Sequence, residues 1–176
     1  VRKNDEGRKV KGERAMVDLY QIALKCFFHP DTEGRASIKV VLPAVLKSSD
    51  FLKQKYSQPI YGAKTPDGIA SKNFPFDDSP GMVWWQATED GVLDPYHLLP
   101  PMFTDLAQEE LDALEQDEGG LIREGGAATT AYARMQFEEI SQAEREATKK
   151  ALLRYCELDT LAMVMIFEAW NHWARP

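Results

Sequence analysis

The sequence predicts an α+β domain that is predominantly α-helical and has little sheet, and two observations carry that expectation. Asp18 with Gln21, Asp105 with Gln108, and Ser141 with Glu144 each set a capping residue three positions before a Gln or Glu, followed by apolar residues at helical spacing. Between the first and second of these, residues 57–105 hold Pro59, Pro66, Pro75, Pro80, Pro95, Pro100 and Pro101 and keep neither a helical nor a strand period. They read as a long irregular insertion, a length uncommon unless it serves a function or is packed by its own aromatics.

Residues 1–13 are charged and almost free of apolar side chains, so they read as an arm or a severed linker, with the folded part running over 14–176. Arg14 to Val17 reads as a short strand. Asp18 then opens a helix whose stripe is Leu19, Ile22, Ala23 and Cys26, ended by Phe27-Phe28-His29-Pro30. Gly34 lies in a turn, and Ser37 opens a second helix from Ile38 to about Lys47. Pro43 is expected to kink or split it. Ser49 and Asp50 start a short continuation to Tyr56. After the insertion, Asp105 begins an acidic helix to about Glu115, and Gly119-Gly120 breaks the chain. A helix of small residues runs from about Ala127 to Glu139, with Gly125-Gly126 ahead of it as a turn or a weak phosphate cradle. Ser141 opens the last helix, to about Trp173, with Ala151, Leu152, Tyr155, Leu158, Ala162, Met165, Ile166, Ala169 and Trp170 on one stripe.

The chain has 176 residues, 44% hydrophobic and 28% charged, enough for one core. A net charge of −7 argues against a basic nucleic-acid footprint over the whole surface, but a metal-carboxylate nuclease site is itself acidic. Cys26 and Cys156 lie in apolar helical context without a second ligand pair, which speaks against a zinc site or disulfide framework and for a reducing, cytoplasmic setting. No apolar run reaches membrane-spanning length. The chain opens on Val1 rather than Met and reads as a piece of a longer protein.

Several residue types invite chemistry. Trp84-Trp85 can stack bases, although tryptophans in such a segment more often pin a loop to its own domain. His97 can serve as a general base, and reads as a solvated loop histidine for want of a partner. The acidic run 109–118 reads as a solvated face. The pattern that matters most is Tyr155 four residues before Asp159, which puts both on one helix face. An Asp on a rigid helix can hold one divalent cation of a phosphodiester-cleaving pair, and a Tyr one turn earlier can orient the attacking water. Such a pair needs about three or four convergent carboxylates, and no others stand at recognisable spacing. From spacing alone the competing reading is a core Tyr155 and a solvated Asp159. Asp159 lies just off the apolar stripe, at a boundary where a carboxylate reaches a cleft, which favours function.

Longer blocks add to the spacing. Residues 151–164, ALLRYCELDTLAMV, closely resemble the C-terminal motif of a bacterial family known as a domain of unknown function. Met16-Val17-Asp18-Leu19, Ser37-Ile38-Lys39 with Val41-Leu42-Pro43-Ala44, Asp94-Pro95-Tyr96 with Leu98-Leu99-Pro100-Pro101, and Gly125-Gly126-Ala127-Ala128 with Ala131-Tyr132-Ala133 resemble it in the same order, over roughly residues 14–173. Arg35 stands where that family has a small residue, a departure that touches a turn. The family itself is similar to proofreading-type 3'-5' exonucleases of RNase H-like fold, in which Asp-x-Glu, a second Asp and Tyr-x-x-x-Asp build a two-metal site. The resemblance implies Tyr155 as the water-orienting residue, Asp159 as a metal ligand, Mg²⁺ or Mn²⁺ as the metal, and a nucleic-acid 3' end as the substrate. Asp18 opens a helix in this correspondence and is not a ligand. The remaining acidic motifs would belong to a missing N-terminal half of the same domain, so the chain alone is expected to be inactive. The alternative is a catalytically inert interaction or scaffold module derived from that fold, using the insertion to hold a partner.

Overall fold

The computed structural model describes residues 2–3, 6–10, 16–75, 78–89, 91–99 and 123–175. Over these residues the chain is mostly helical, with two small two-stranded sheets. The helices are α1 (Leu19–Cys26), α2 (Ile38–Ser48), α3 (Asp50–Tyr56), α4 (Arg123–Phe137) and α5 (Gln142–Trp173). Two short strands pair antiparallel within the charged N-terminal stretch, β1 (Arg2–Lys3) with β2 (Lys9–Val10). A second antiparallel pair, β3 (Ala87–Thr88) with β4 (Gly91–Val92), lies in the insertion. The acidic helix expected from Asp105, the run 109–118 and Gly119-Gly120 lie outside the described residues.

The helix starts follow from their caps. The Asp18 carboxylate accepts from the Tyr20 amide at 3.0 Å, Ser49 Oγ from Leu52 at 3.2 Å, and Ser141 Oγ from Glu144 at 3.1 Å, each satisfying an amide that the first turn leaves without a helical partner. Three expectations are corrected. Met16 and Val17 form no strand and are 97% and 65% exposed, because extended backbone becomes a strand only when a neighbour takes its hydrogen bonds. Pro43 does not split α2, which runs unbroken through it. Burial of Val41, Leu42, Ala44, Val45 and Leu46 offsets the roughly 3 kcal/mol that an interior proline costs. Gly125 and Gly126 lie in the first turn of α4 rather than ahead of it, since glycine weakens a helix by about 1 kcal/mol without barring it.

The core is organised on α5, whose 32 residues span about 48 Å. Tyr155, Leu158, Leu161, Ala162, Met165, Ile166 and Ala169 recur at three- and four-residue steps and are buried against α2 and α3. At its C-terminal end Trp170 packs 5.7 Å from Phe27, and His172 stacks on Phe51 at 5.0 Å.

The described part of the insertion is held by its own aromatics. Trp84 is fully buried, edge-on to Phe74 at 5.1 Å and to Tyr61 at 5.8 Å. Gly62 sits at φ 74°, and a Cβ there would come within 2.3 Å of the Phe74 carbonyl oxygen, so only glycine permits this closure. Trp85 Nε1–H donates to the Leu46 carbonyl at 3.0 Å and ties the segment to α2. Buried in this way, Trp84 is not a base-stacking platform.

Candidate functional site

Tyr155 and Asp159 leave α5 one turn apart, and two other elements converge on them. Tyr155 is 7% exposed, a core residue by burial. Asp159 stays at the surface boundary with 36% of its side chain exposed. The third residue is Lys39, in the first turn of α2, whose Nζ lies 3.3 Å from Asp159 Oδ1. The fourth is Tyr96, in a 3-10 turn at Pro95–Leu98 capped by Asp94, whose carboxylate accepts the Tyr96 amide at 3.1 Å. Proline at the first position of that turn fixes the backbone so that the next side chain points inward, and Tyr96 is only 4% exposed.

The Tyr96 hydroxyl donates to Asp159 Oδ1 at 2.5 Å, within the range of an O–H donor on a carboxylate. The Lys39 ammonium stands 2.8 Å from the Tyr96 ring centroid and 4.4 Å from that of Tyr155, and the two rings are 6.1 Å apart. The lysine is therefore held by two aromatic faces and one carboxylate, with 20% of its side chain exposed. Burial, with the hydrogen bond to Asp159 adding to it, pushes the Tyr96 phenol well above its usual range, so it remains a donor. Both bonds to Asp159 from the described residues fall on Oδ1, which leaves Oδ2 as the oxygen for a further partner.

Asp159 also stands in the wall of an open groove of about 350 Å³ between α1 and α5, otherwise apolar and lined by Leu19, Tyr20, Ile38, Met163 and Trp170. Tyr20 and Met163 are 53% and 44% exposed there. On the other side of α2, a second cavity of about 320 Å³ is lined by Asp31, Arg35, Lys39, Pro43, Lys47 and Val92. Lys39 belongs to both the Asp159 cluster and this cavity.

No three His, Cys, Asp or Glu side chains converge among the described residues as a divalent cation would require. Asp159 offers one ligand, so these residues alone do not hold Mg²⁺ or Mn²⁺. The neighbouring carboxylate Glu157 is otherwise engaged. It accepts from the Tyr61 hydroxyl at 2.8 Å, from Ser71 Oγ, and from Asn73 Nδ2 at 2.5 Å. His97 is exposed beside Tyr96 and has no part in the cluster. Cys26 and Cys156 are exposed free thiols. No helix among the described residues is long and apolar enough to cross a membrane.

The structure thus brings Tyr155 and Asp159 together with two residues that spacing did not single out as chemistry. Lys39 and Tyr96 lie 120 and 63 positions before Asp159, and only the fold makes them neighbours. The sole signal in the sequence was that both sit inside short blocks already distinctive, Ser37-Ile38-Lys39 and Asp94-Pro95-Tyr96. Compared with protein families, curated proteins and solved structures, the chain matches none.

Proposed function

We propose that this chain is the C-terminal part of a metal-dependent 3'-5' exonuclease of RNase H-like fold acting on nucleic acid. The observation that carries the reading is the convergence, at one edge of α5, of a half-exposed carboxylate, a tyrosine one turn earlier and a lysine ammonium. Glu157 is filled by three neutral donors, and Glu168 has a tyrosine and a lysine on separate oxygens, Tyr56 on Oε2 and Lys55 on Oε1. Asp159 keeps one oxygen and a third of its surface open.

A bound Mg²⁺ or Mn²⁺ would supply an activated water and neutralise phosphate charge. The chain's own residues have separate tasks. Asp159 would supply one ligand oxygen, Tyr96 and Lys39 hold its rotamer through Oδ1, and Tyr155, on the same face, would orient the nucleophile. On this reading the other carboxylates would come from an N-terminal half of the same domain. Its apolar underside would cover the groove between α1 and α5, so that its acidic residues meet Asp159 at the rim.

The test is cleavage of a 3'-labelled single strand by the full-length gene product with Mg²⁺ or Mn²⁺. Asp159→Asn should lower the rate at least a hundredfold with the fold intact by circular dichroism; unchanged cleavage removes Asp159 from the mechanism. The second reading, an inert interaction module, is favoured by the absence of any three convergent ligands among the described residues. It predicts no metal-dependent cleavage by the full-length protein at all.

A further inference from the structure

The cavity on the outer side of α2 gathers three cations, Arg35, Lys39 and Lys47, against one lining carboxylate, Asp31, in a chain whose net charge is −7. Lys39, Pro43 and Lys47 stand four residues apart and share one face of α2, with Arg35 just ahead of the helix, and all four line the same cavity. Each cation has an anionic neighbour. Arg35 lies 3.3 Å from Glu33, Lys47 2.7 Å from Asp31, and Lys39 3.3 Å from Asp159. The Arg35 and Lys47 pairs are about half exposed or more, and pairs of that kind are weak, screened and readily exchanged for a stronger anion. From Lys39 to Lys47 the helix rises about 12 Å, a span that two or three phosphates of one strand cover.

We propose that Arg35, Lys39 and Lys47 form a binding track for the sugar-phosphate backbone of a single-stranded nucleic acid, with Lys39 at its inner end against Asp159. The inference rests on the proposed function for where the track leads, but not for its capacity to bind. Lys39 is shared between the cavity and the carboxylate, so it can hand the strand from one to the other. Proline at the centre of the face adds no charge and leaves the cavity open between the two lysines. Aromatic stacking has little share, because Lys39 covers the Tyr96 ring and Trp84 is buried. Affinity should therefore be electrostatic and tolerant of sequence.

The experiment measures fluorescence anisotropy of a labelled oligo-dT and an oligo-U with the full-length protein in EDTA, over a series of salt concentrations. Arg35→Gln, Lys39→Gln and Lys47→Gln should each weaken binding severalfold and reduce the salt slope by about 0.7. Should Lys39→Gln disturb folding, the exposed Arg35 and Lys47 variants carry the test. Wild-type protein that does not bind either oligonucleotide overturns the proposal, as does a double Arg35→Gln, Lys47→Gln variant that binds as wild type. Equal loss of binding to vesicles of anionic lipid, with no oligonucleotide binding, would also overturn it. Asp159→Asn separates the two readings: it should leave oligonucleotide binding intact or tighter while cleavage is lost. Cleavage that survives Asp159→Asn, alongside weakened binding by the lysine variants, would sink the exonuclease assignment and leave the track standing.

Discussion

Glu157 and Asp159 leave the same helix two residues apart, on roughly opposite sides, and are served by different kinds of partner. Glu157 accepts from Tyr61, Ser71 and Asn73, three neutral donors from one stretch of the insertion. Ser71 Oγ in turn accepts the Phe74 amide at 2.9 Å, so the clasp and the loop hold each other. Asp159 has one neutral donor, Tyr96, and one cation, Lys39. A carboxylate surrounded by dipoles that the backbone fixes is a fastener, because releasing it strands every donor at once. A carboxylate with a free oxygen can take a further partner without giving up the ones it has. On one helix the first arrangement ties the insertion to α5, and the second leaves one carboxylate oxygen open.

The comparison is most sharply tested by removing each acid. Glu157→Ala should destabilise the chain by about 2–4 kcal/mol in denaturant unfolding and speed hydrogen exchange across residues 57–75. A loss below about 1 kcal/mol would show that the insertion is held by Trp84 and its aromatics instead. Alkaline pH acts next. Tyr56 and Tyr61, like Tyr96, have phenols raised above the ordinary value of 10.0, chiefly by burial and then by the adjoining carboxylate. Protons leave the unfolded phenol first, so the folded state binds more protons above that value. The stability these groups contribute is complete below about pH 10 and is lost above it, at about 1.4 kcal/mol per pH unit for each tyrosine. Tyr61→Phe and Tyr96→Phe should each flatten the alkaline limb of a stability-pH curve by one such share; a curve unchanged in both would place their titration elsewhere. Tyr96→Phe at neutral pH should cost about 1 kcal/mol, read from the same denaturant midpoint, less than Glu157→Ala because one donor is lost rather than three. Asp159→Asn and Lys39→Gln should shift stability least, within about 1 kcal/mol, while Asp159→Asn should abolish the proposed cleavage. A larger shift for Asp159→Asn would make it a fastener like its neighbour and remove the contrast.

Much of the helical framework was legible because the chain marks its own starts. Asp18, Ser49 and Ser141 are short polar side chains ahead of apolar periods, and all three cap. Pro43 was expected to kink or split α2, and it does not split it because burial of five neighbours outweighs the local rule. The site was half legible for a related reason. Tyr155 and Asp159 are one turn apart on a helix, so spacing alone sets them side by side. Lys39 and Tyr96 come from two other elements, and no linear period encodes a meeting across such separations. Glu157 was invisible as a clasp because its donors lie in the segment without period.

The tyrosine-to-carboxylate bonds on α5 also bear on how the chain is made. Tyr56, Tyr61 and Tyr96 reach Glu168, Glu157 and Asp159 across 112, 96 and 63 residues. Synthesis runs from the N-terminus, so α2, α3 and the aromatic insertion emerge long before the helix that supports all three. At about 5–20 residues per second, the interval between Trp84 and Glu168 lasts roughly four to seventeen seconds. Throughout that time Leu42, Leu46, Leu52 and Trp84 lack the α5 side of the core that buries them in the finished fold. A ribosome that stalls before α5 therefore holds an unclosed apolar surface.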